Sequence, residues 1–378
     1  MSWLAGLSSG AGVVRGVRKA VLWGLGPLLV LFGAEVVLRL SGVGYVSYYA
    51  PDAECGVVLR PGAAGWFTQE GHAYLKISSQ GLRDREYTVA KLPDTVRIAV
   101  LGDSYTMAPH VAVADTFVSV TQRHLQACSV LDARQVEVMN FGVGSYGTAQ
   151  ELQLFRTQVA AFNPDIVVLA FVTGDDVRNN SKALSDDPLV PYFVQSLVDD
   201  QLELDMSFRQ EGAYQKRQNF VWRTLAASNY SNLLQVANAA LNRARRPQPN
   251  MRQSTPLRGR MAPGKDISAI NDLGADNQVY RVPETDEWRT AWEVTEGILR
   301  LFAKEVDAHG AEFRLITLSN AAQVWPELDK RADLAKGLGV EDLRYPDRRI
   351  RAFAQKERIP VLTLVDYLAE WAEKIISA

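Results

Sequence analysis

Three short stretches hold the residues that could do chemistry. Gly102-Asp103-Ser104 stands directly behind the apolar run Ile98–Leu101, Gly142-Val143-Gly144-Ser145-Tyr146-Gly147 behind the alternating run Val136–Phe141, and Gly174-Asp175-Asp176 behind Ile166–Val172. The first corner offers the hydroxyl of Ser104 beside the carboxylate of Asp103. The second has three glycines in six positions, which implies backbone in tight or left-handed geometry with its amide groups exposed. The third offers Asp175 and Asp176, with the amides of Asn179 and Asn180 just beyond. A serine hydroxyl that attacks an acyl carbon, and backbone N–H groups that stabilise the resulting oxyanion, are the parts of acyl-transfer chemistry. Each corner alone reads equally well as a turn, because glycine, aspartate and serine are turn residues. A random loop distribution would not set all three directly behind apolar strands.

The runs before the corners read as buried parallel strands, with helices between them from Asp115 to Cys128 and from Thr148 to Ala161. Asp115 or Thr116 caps the first helix and Thr148 the second. An amphipathic helix carrying Trp288, Trp292, Thr295, Leu299, Phe302 and Val306 precedes a fourth strand at Phe313–Leu318. A fifth strand follows at Pro360–Val365, and a helix from Tyr367 to Ile376 closes the chain. This alternation predicts a three-layer α/β fold, whose ligand site lies at the carboxyl edge of the sheet. Residues 41–95 read as an N-terminal extension with an accessory strand at Tyr74–Ser78. Residues 96–378 form the α/β domain, with an insertion at about 182–283 that holds a short strand pair, a helix from Phe220 to Leu241 and a basic linker with seven cations and no acid between Arg243 and Lys265.

With 47% hydrophobic and 22% charged residues the 378-residue chain is globular in composition, and its net charge of −2 argues against a nucleic-acid partner. Four scattered histidines and two cysteines make no metal site, and no nucleotide-binding loop is present, so no metal and no cofactor is expected. Cys55 and Cys128 could form one bridge in an oxidising compartment. Residues 1–19 carry three cations and precede an apolar run from Ala20 that reaches spanning length if Glu35 sits at the far interface. Residues 20–40 are therefore expected to be a transmembrane anchor, with residues 1–19 cytoplasmic and the large remainder outside.

Taken together, Gly102-Asp103-Ser104, the glycine loop after Asn140, and Thr173-Gly174-Asp175-Asp176 with Asn179-Asn180 resemble the first three blocks of the GDSL/SGNH hydrolases, in particular their membrane-anchored bacterial members. The resemblance covers the anchor and most of residues 55–366. It implies a flavodoxin-like sheet and esterase or O-acyltransferase chemistry on an acylated glycan or lipid. In such enzymes the first-block serine, here Ser104, is the nucleophile. The oxyanion is held by that serine's own amide, by a second-block amide falling on Ser145 after Gly144, and by a third-block asparagine. This chain has Asp175 at the third position, and an ionised carboxylate cannot donate. Loss of one oxyanion donor typically costs about 10²–10³ in rate. The family's base is a histidine in an Asp-x-x-His block, which the sequence does not contain. His110, six residues beyond Ser104, is the one histidine near enough in sequence to be weighed as a stand-in. The expectation is an SGNH-type serine hydrolase, with an inactive form and a non-catalytic glycan-binding scaffold left open beside it.

Overall fold

The computed structural model describes residues 9–41, 43–44, 46–68, 71–128, 135–196, 201–218, 231–245 and 275–376. Five strands, Thr95–Gly102, Gln135–Gly142, Ile166–Val172, Glu312–Leu318 and Val361–Thr363, form one sheet. Counted first to fifth along the chain, they lie in the order 2-1-3-4-5, and every neighbouring pair is parallel. This is the flavodoxin-like winding, whose switch point falls between the first and third strands. All eight residues of the first strand are buried, as a strand covered on both faces requires.

Alternation along the strands separates two core layers. Val96, Ile98, Val100, Val136 and Val138 pack with Val118 of the helix Phe117–Gln126. The opposite face receives the helix Asp286–Ala308, whose Phe302 ring lies 5.2 Å from Phe313 and 5.6 Å from Phe155. The three layers expected from the strand–helix alternation are thus present. Two helices that the sequence reading passed over, Leu328–Leu338 and Tyr345–Lys356, fill the connection from the fourth strand to the fifth.

At the amino edge of the sheet Arg97 is fully buried, yet each of its three guanidinium nitrogens has a partner. It donates to Glu137 at 2.7 Å and to the carbonyls of Phe162, Val89 and Thr88 at 2.6, 3.0 and 3.1 Å. A buried charge is tolerable only with such complete pairing. The accessory strand expected at Tyr74–Ser78 spans Ala73–Lys76 and pairs antiparallel with Ala64–Phe67. The insertion's strand pair is Tyr192–Gln195 with Leu202–Asp205. Thr116 caps its helix as expected, whereas the second helix is capped by Gly147 rather than Thr148. Cys55 is buried and Cys128 exposed, and both are free thiols. The start of the helix expected from Phe220, and the basic stretch beyond Arg245, lie outside the described residues.

The chain divides into two compact units, one of residues 48–222 with 248–378 that contains the sheet, and one of residues 1–47 with 223–247. In the smaller unit the expected anchor is part of a longer helix, Ser9–Leu40. The transmembrane expectation over 20–40 is corrected here: among the described residues no helix is long and apolar enough to cross a membrane. Glu35 also has a role other than an interfacial charge. Its carboxylate accepts from the amides of Asn232 at 3.0 Å and Leu233 at 2.9 Å and from the Ser231 hydroxyl at 2.9 Å, closing the exposed donors at the start of the helix Asn232–Arg245.

Candidate active site

The first strand ends at Gly102, and the chain turns at once into the short helix Ser104–Met107. A Cβ at Gly102 would lie 2.1 Å from Thr106 Oγ1, and one at Gly142 would lie 2.3 Å from the Met107 nitrogen, so the first glycine makes room for the Thr106 side chain and the second for backbone. Asp103 is buried and accepts from the Tyr105 amide at 2.8 Å, capping that helix and leaving Ser104 exposed at the strand end. Asn140 staples the second corner to the first. Its Nδ2 donates to the Thr106 carbonyl at 2.8 Å while its Oδ1 accepts from the Gly142 amide at 2.9 Å. From below, fully buried Arg83 donates to the carbonyls of Met107, at 2.7 Å, and Val111. Burial lowers its guanidinium to about 10.

In the second corner Ser145 is held at φ +67°, the left-handed region that favours glycine. Among the described residues neither the Gly144 nor the Ser145 amide donates to a protein acceptor, and Ser145, unlike Gly144, is exposed. Holding a non-glycine residue there costs roughly 1–2 kcal/mol, from which glycine's extra chain entropy of about 0.5–1 kcal/mol must be subtracted. Ser145→Gly is accordingly expected to stabilise the protein by about 0.5–1 kcal/mol in urea unfolding, and a loss of stability would contradict the strain.

The third corner divides its side chains between structure and site. Asp176 Oδ2 accepts from the Val172 amide at 2.7 Å, and Asn180 is buried among Ala149, Thr148 and Thr295, with bonds of 3.1–3.2 Å. Asn180 is therefore committed to packing and cannot replace an oxyanion donor. Asp175 and Asn179 instead line a cavity of about 600 Å³ together with Asp103, Ser104 and Ser145. Four of the five candidate residues thus meet at one opening beside the switch point, while Gly144 is packed under Tyr49, whose hydroxyl a Cβ there would approach to 2.4 Å. Arg178 and Arg217 bring positive charge to the same opening.

Among the described residues no histidine lines this cavity. His72 stacks on Trp66 with ring centroids 4.5 Å apart, His309 ends its helix beside Phe155 at 5.9 Å, and His124 is exposed on the helix Phe117–Gln126. His110, the stand-in weighed from sequence, is not brought to the cavity, and its loop instead receives Gly71.

Beneath the first and third corners lies a group of acids. Glu151 and Asp176 are fully buried, and burial pushes both carboxyls well above the usual carboxylate range, with the charge of Asp103 adding to both rises and that of Glu151 to the rise of Asp176. Asp103 is pushed up to about 7 by burial, against the hydrogen bond from Tyr105 and with Asp175 adding to the rise. Asp175 is raised more modestly by burial and held down by Arg178. Neither oxygen of Glu151, nor Asp176 Oδ1, meets a donor among the described residues, as expected of carboxyls that stay protonated.

No protein-family model matches this chain, and no curated protein matches it. Solved structures similar to it include an acetyl xylan esterase at 12% identity, with a TM-score of 0.35 over 75% of this chain and 84% of the other. An acetylxylan esterase from Geobacillus stearothermophilus matches at 11% identity and a TM-score of 0.33 over 74% and 80% of the two chains. A GDSL-like lipase from Bacteroides thetaiotaomicron matches at 10% and 0.27 over 73% and 72%. At these identities and scores the likenesses carry no weight here, and the strand order and the cavity carry the reading.

Sequence reading missed Arg83 and Glu151 as parts of the site's support, and named Asp176 without its bond to the Val172 amide. Arg83 and Glu151 offer no local signal, since a single charge in a loop or on a helix ordinarily faces water. Asp176 had one: a second acid directly at a strand end, where the freed backbone amide of Val172 needs an acceptor.

Proposed function

We propose that the protein is a serine esterase of the GDSL/SGNH type that acts on an acylated glycan or lipid, with Ser104 as the nucleophile. The observation that carries this is the meeting of Ser104, Ser145 and Asp175 at one cavity beside the switch point of a parallel sheet wound 2-1-3-4-5. Ser104 would attack the acyl carbon, and the free amide of Ser145 would supply a donor for the oxyanion that forms. Transfer to a sugar hydroxyl instead of water uses the same acyl-enzyme, so O-acyltransfer belongs to the same proposal. The test is release of acetate from acetylated xylan and from p-nitrophenyl acetate by the folded chain. Hydrolysis of either that Ser104→Ala abolishes supports the reading, and release unchanged in that variant rejects it.

A second reading is favoured by one observation, the carboxylate of Asp175 in the corner where the resemblance expects an amide donor. On that reading the cavity holds a glycan without cleaving it. Binding of acetylated xylan that is unaffected by Ser104→Ala, with no acetate released, selects this alternative.

The proposal extends to location. Leu28, Leu29, Val30, Phe32 and Val37 of the helix Ser9–Leu40 are each more than half exposed, and a lipid bilayer is the cover we propose for them. The chain is then expected to sediment with membranes in high salt and to be released by detergent. Release by salt alone would exclude a lipid contact.

A further inference from the structure

A serine hydroxyl is a weak nucleophile near neutral pH unless a base removes its proton. Four carboxyls line the cavity with Ser104, and two of them are committed elsewhere, Asp186 to the Arg178 guanidinium and Asp187 to the Leu189 amide at 2.9 Å. That of Asp103 is engaged by the Tyr105 amide at 2.8 Å. Asp175, by contrast, receives no side-chain hydrogen bond from any described residue, and neither does the Ser104 hydroxyl. We propose that Asp175 is the general base for Ser104, so that the acid in the third corner drives the acyl transfer instead of opposing it. This rests on the esterase reading above.

The steps balance as follows. The Asp175 carboxylate takes the Ser104 proton as the Oγ–carbon bond forms and the acyl carbonyl becomes an oxyanion. On collapse the bond to the alcohol breaks, and the alcohol leaves with the proton from Asp175. Water then gives a proton to Asp175 while adding to the acyl carbon, and Ser104 recovers that proton as the carboxylic acid departs.

The groups facing Asp175 are Asp103 from the first corner, Asp176 and Arg178 from its own segment, and buried Tyr280. Burial raises the Asp175 carboxyl, which makes it a stronger base than a solvated aspartate, while Arg178 keeps its anionic form accessible. The competing effect, repulsion between Asp175 and the oxyanion, has the opposite sign in every measurement.

The experiment is the rate of fluorophosphonate labelling of the full chain from pH 4 to pH 9, for the native protein and for Asp175→Asn, with folding of both checked by circular dichroism. The proposal expects native labelling to rise with pH along one acid limb above pH 4. It also expects Asp175→Asn to label about 10²–10⁴-fold more slowly, without that limb. Labelling that falls as pH rises, or an Asp175→Asn variant as fast as the native chain or faster, overturns it. Should the variant not fold, the slope of the native profile alone decides. A native chain that is never labelled at any pH overturns the esterase reading itself, which distinguishes that failure from failure of the base assignment.

Discussion

Ser104→Ala is expected to lower ester turnover by on the order of 10⁶-fold while leaving stability within about 0.5 kcal/mol of the native chain. Both halves follow from the same geometry. The side chain is exposed at the strand end and makes no hydrogen bond to a described residue, so its removal uncovers no buried polar group. Asn140 and Arg83, which shape the corner, act on backbone atoms and, like the glycines, remain in place when the hydroxyl is gone. Acetate release from acetylated xylan reads the first half and urea unfolding the second. Turnover that survives within tenfold would mean that another group does the chemistry.

Glu151→Gln is expected to change stability more than any surface substitution, and in the stabilising direction. Glu151, Asp176 and Asp103 all have raised folded-state pKa values, chiefly through burial. A carboxyl raised in this way binds its proton more tightly in the folded chain than in the unfolded one. Its contribution is therefore fully present below about pH 4, and it is lost as pH rises toward and beyond 7, where Asp103 titrates. The native chain should be most stable in mild acid and should lose stability steadily from about pH 4 to pH 8. Glutamine keeps the shape of Glu151, cannot ionise, and offers its amide to the neighbouring acids. Glu151→Gln should therefore be more stable than the native chain at pH 8, gain less at pH 5, and flatten the pH dependence. Thermal unfolding at pH 5 and pH 8 reads both quantities. An equal loss at the two pH values would show that the acids titrate normally and that the group is packing alone.

The parts of this fold legible in the sequence are those set by local periodicity and by turn chemistry. Apolar runs ending in glycine and a small polar residue marked three strand ends, and each of those ends lies at the carboxyl edge of the sheet, with Gly102 level with Gly142 and Ala170. Ser104, Asp103, Ser145 and Asp175, which line one cavity, were placed at strand ends this way, because glycine, aspartate and serine mark the tight turns that follow the strands. What escaped was set by partners distant along the chain. Arg97 reads as a surface cation in a strand, but the carbonyls of Thr88, Val89 and Phe162 close around it. Glu151 reads as a solvated helix residue, and only the packing of its helix against the sheet buries it. Glu35 read as the polar end of a membrane span, whereas beside its pair with Arg39 three of its bonds come from residues nearly two hundred positions later. Asn179 and Asn180 are adjacent in sequence, yet one faces the cavity and the other the core.

The most direct trial of the account is the mass of the folded chain after exposure to a fluorophosphonate at pH 8, with the modified peptide sequenced. One adduct, carried by Ser104, is what an activated hydroxyl at this switch point requires. A folded chain that takes up no reagent, or takes it up at another residue, would contradict the assignment of ester chemistry to this cavity.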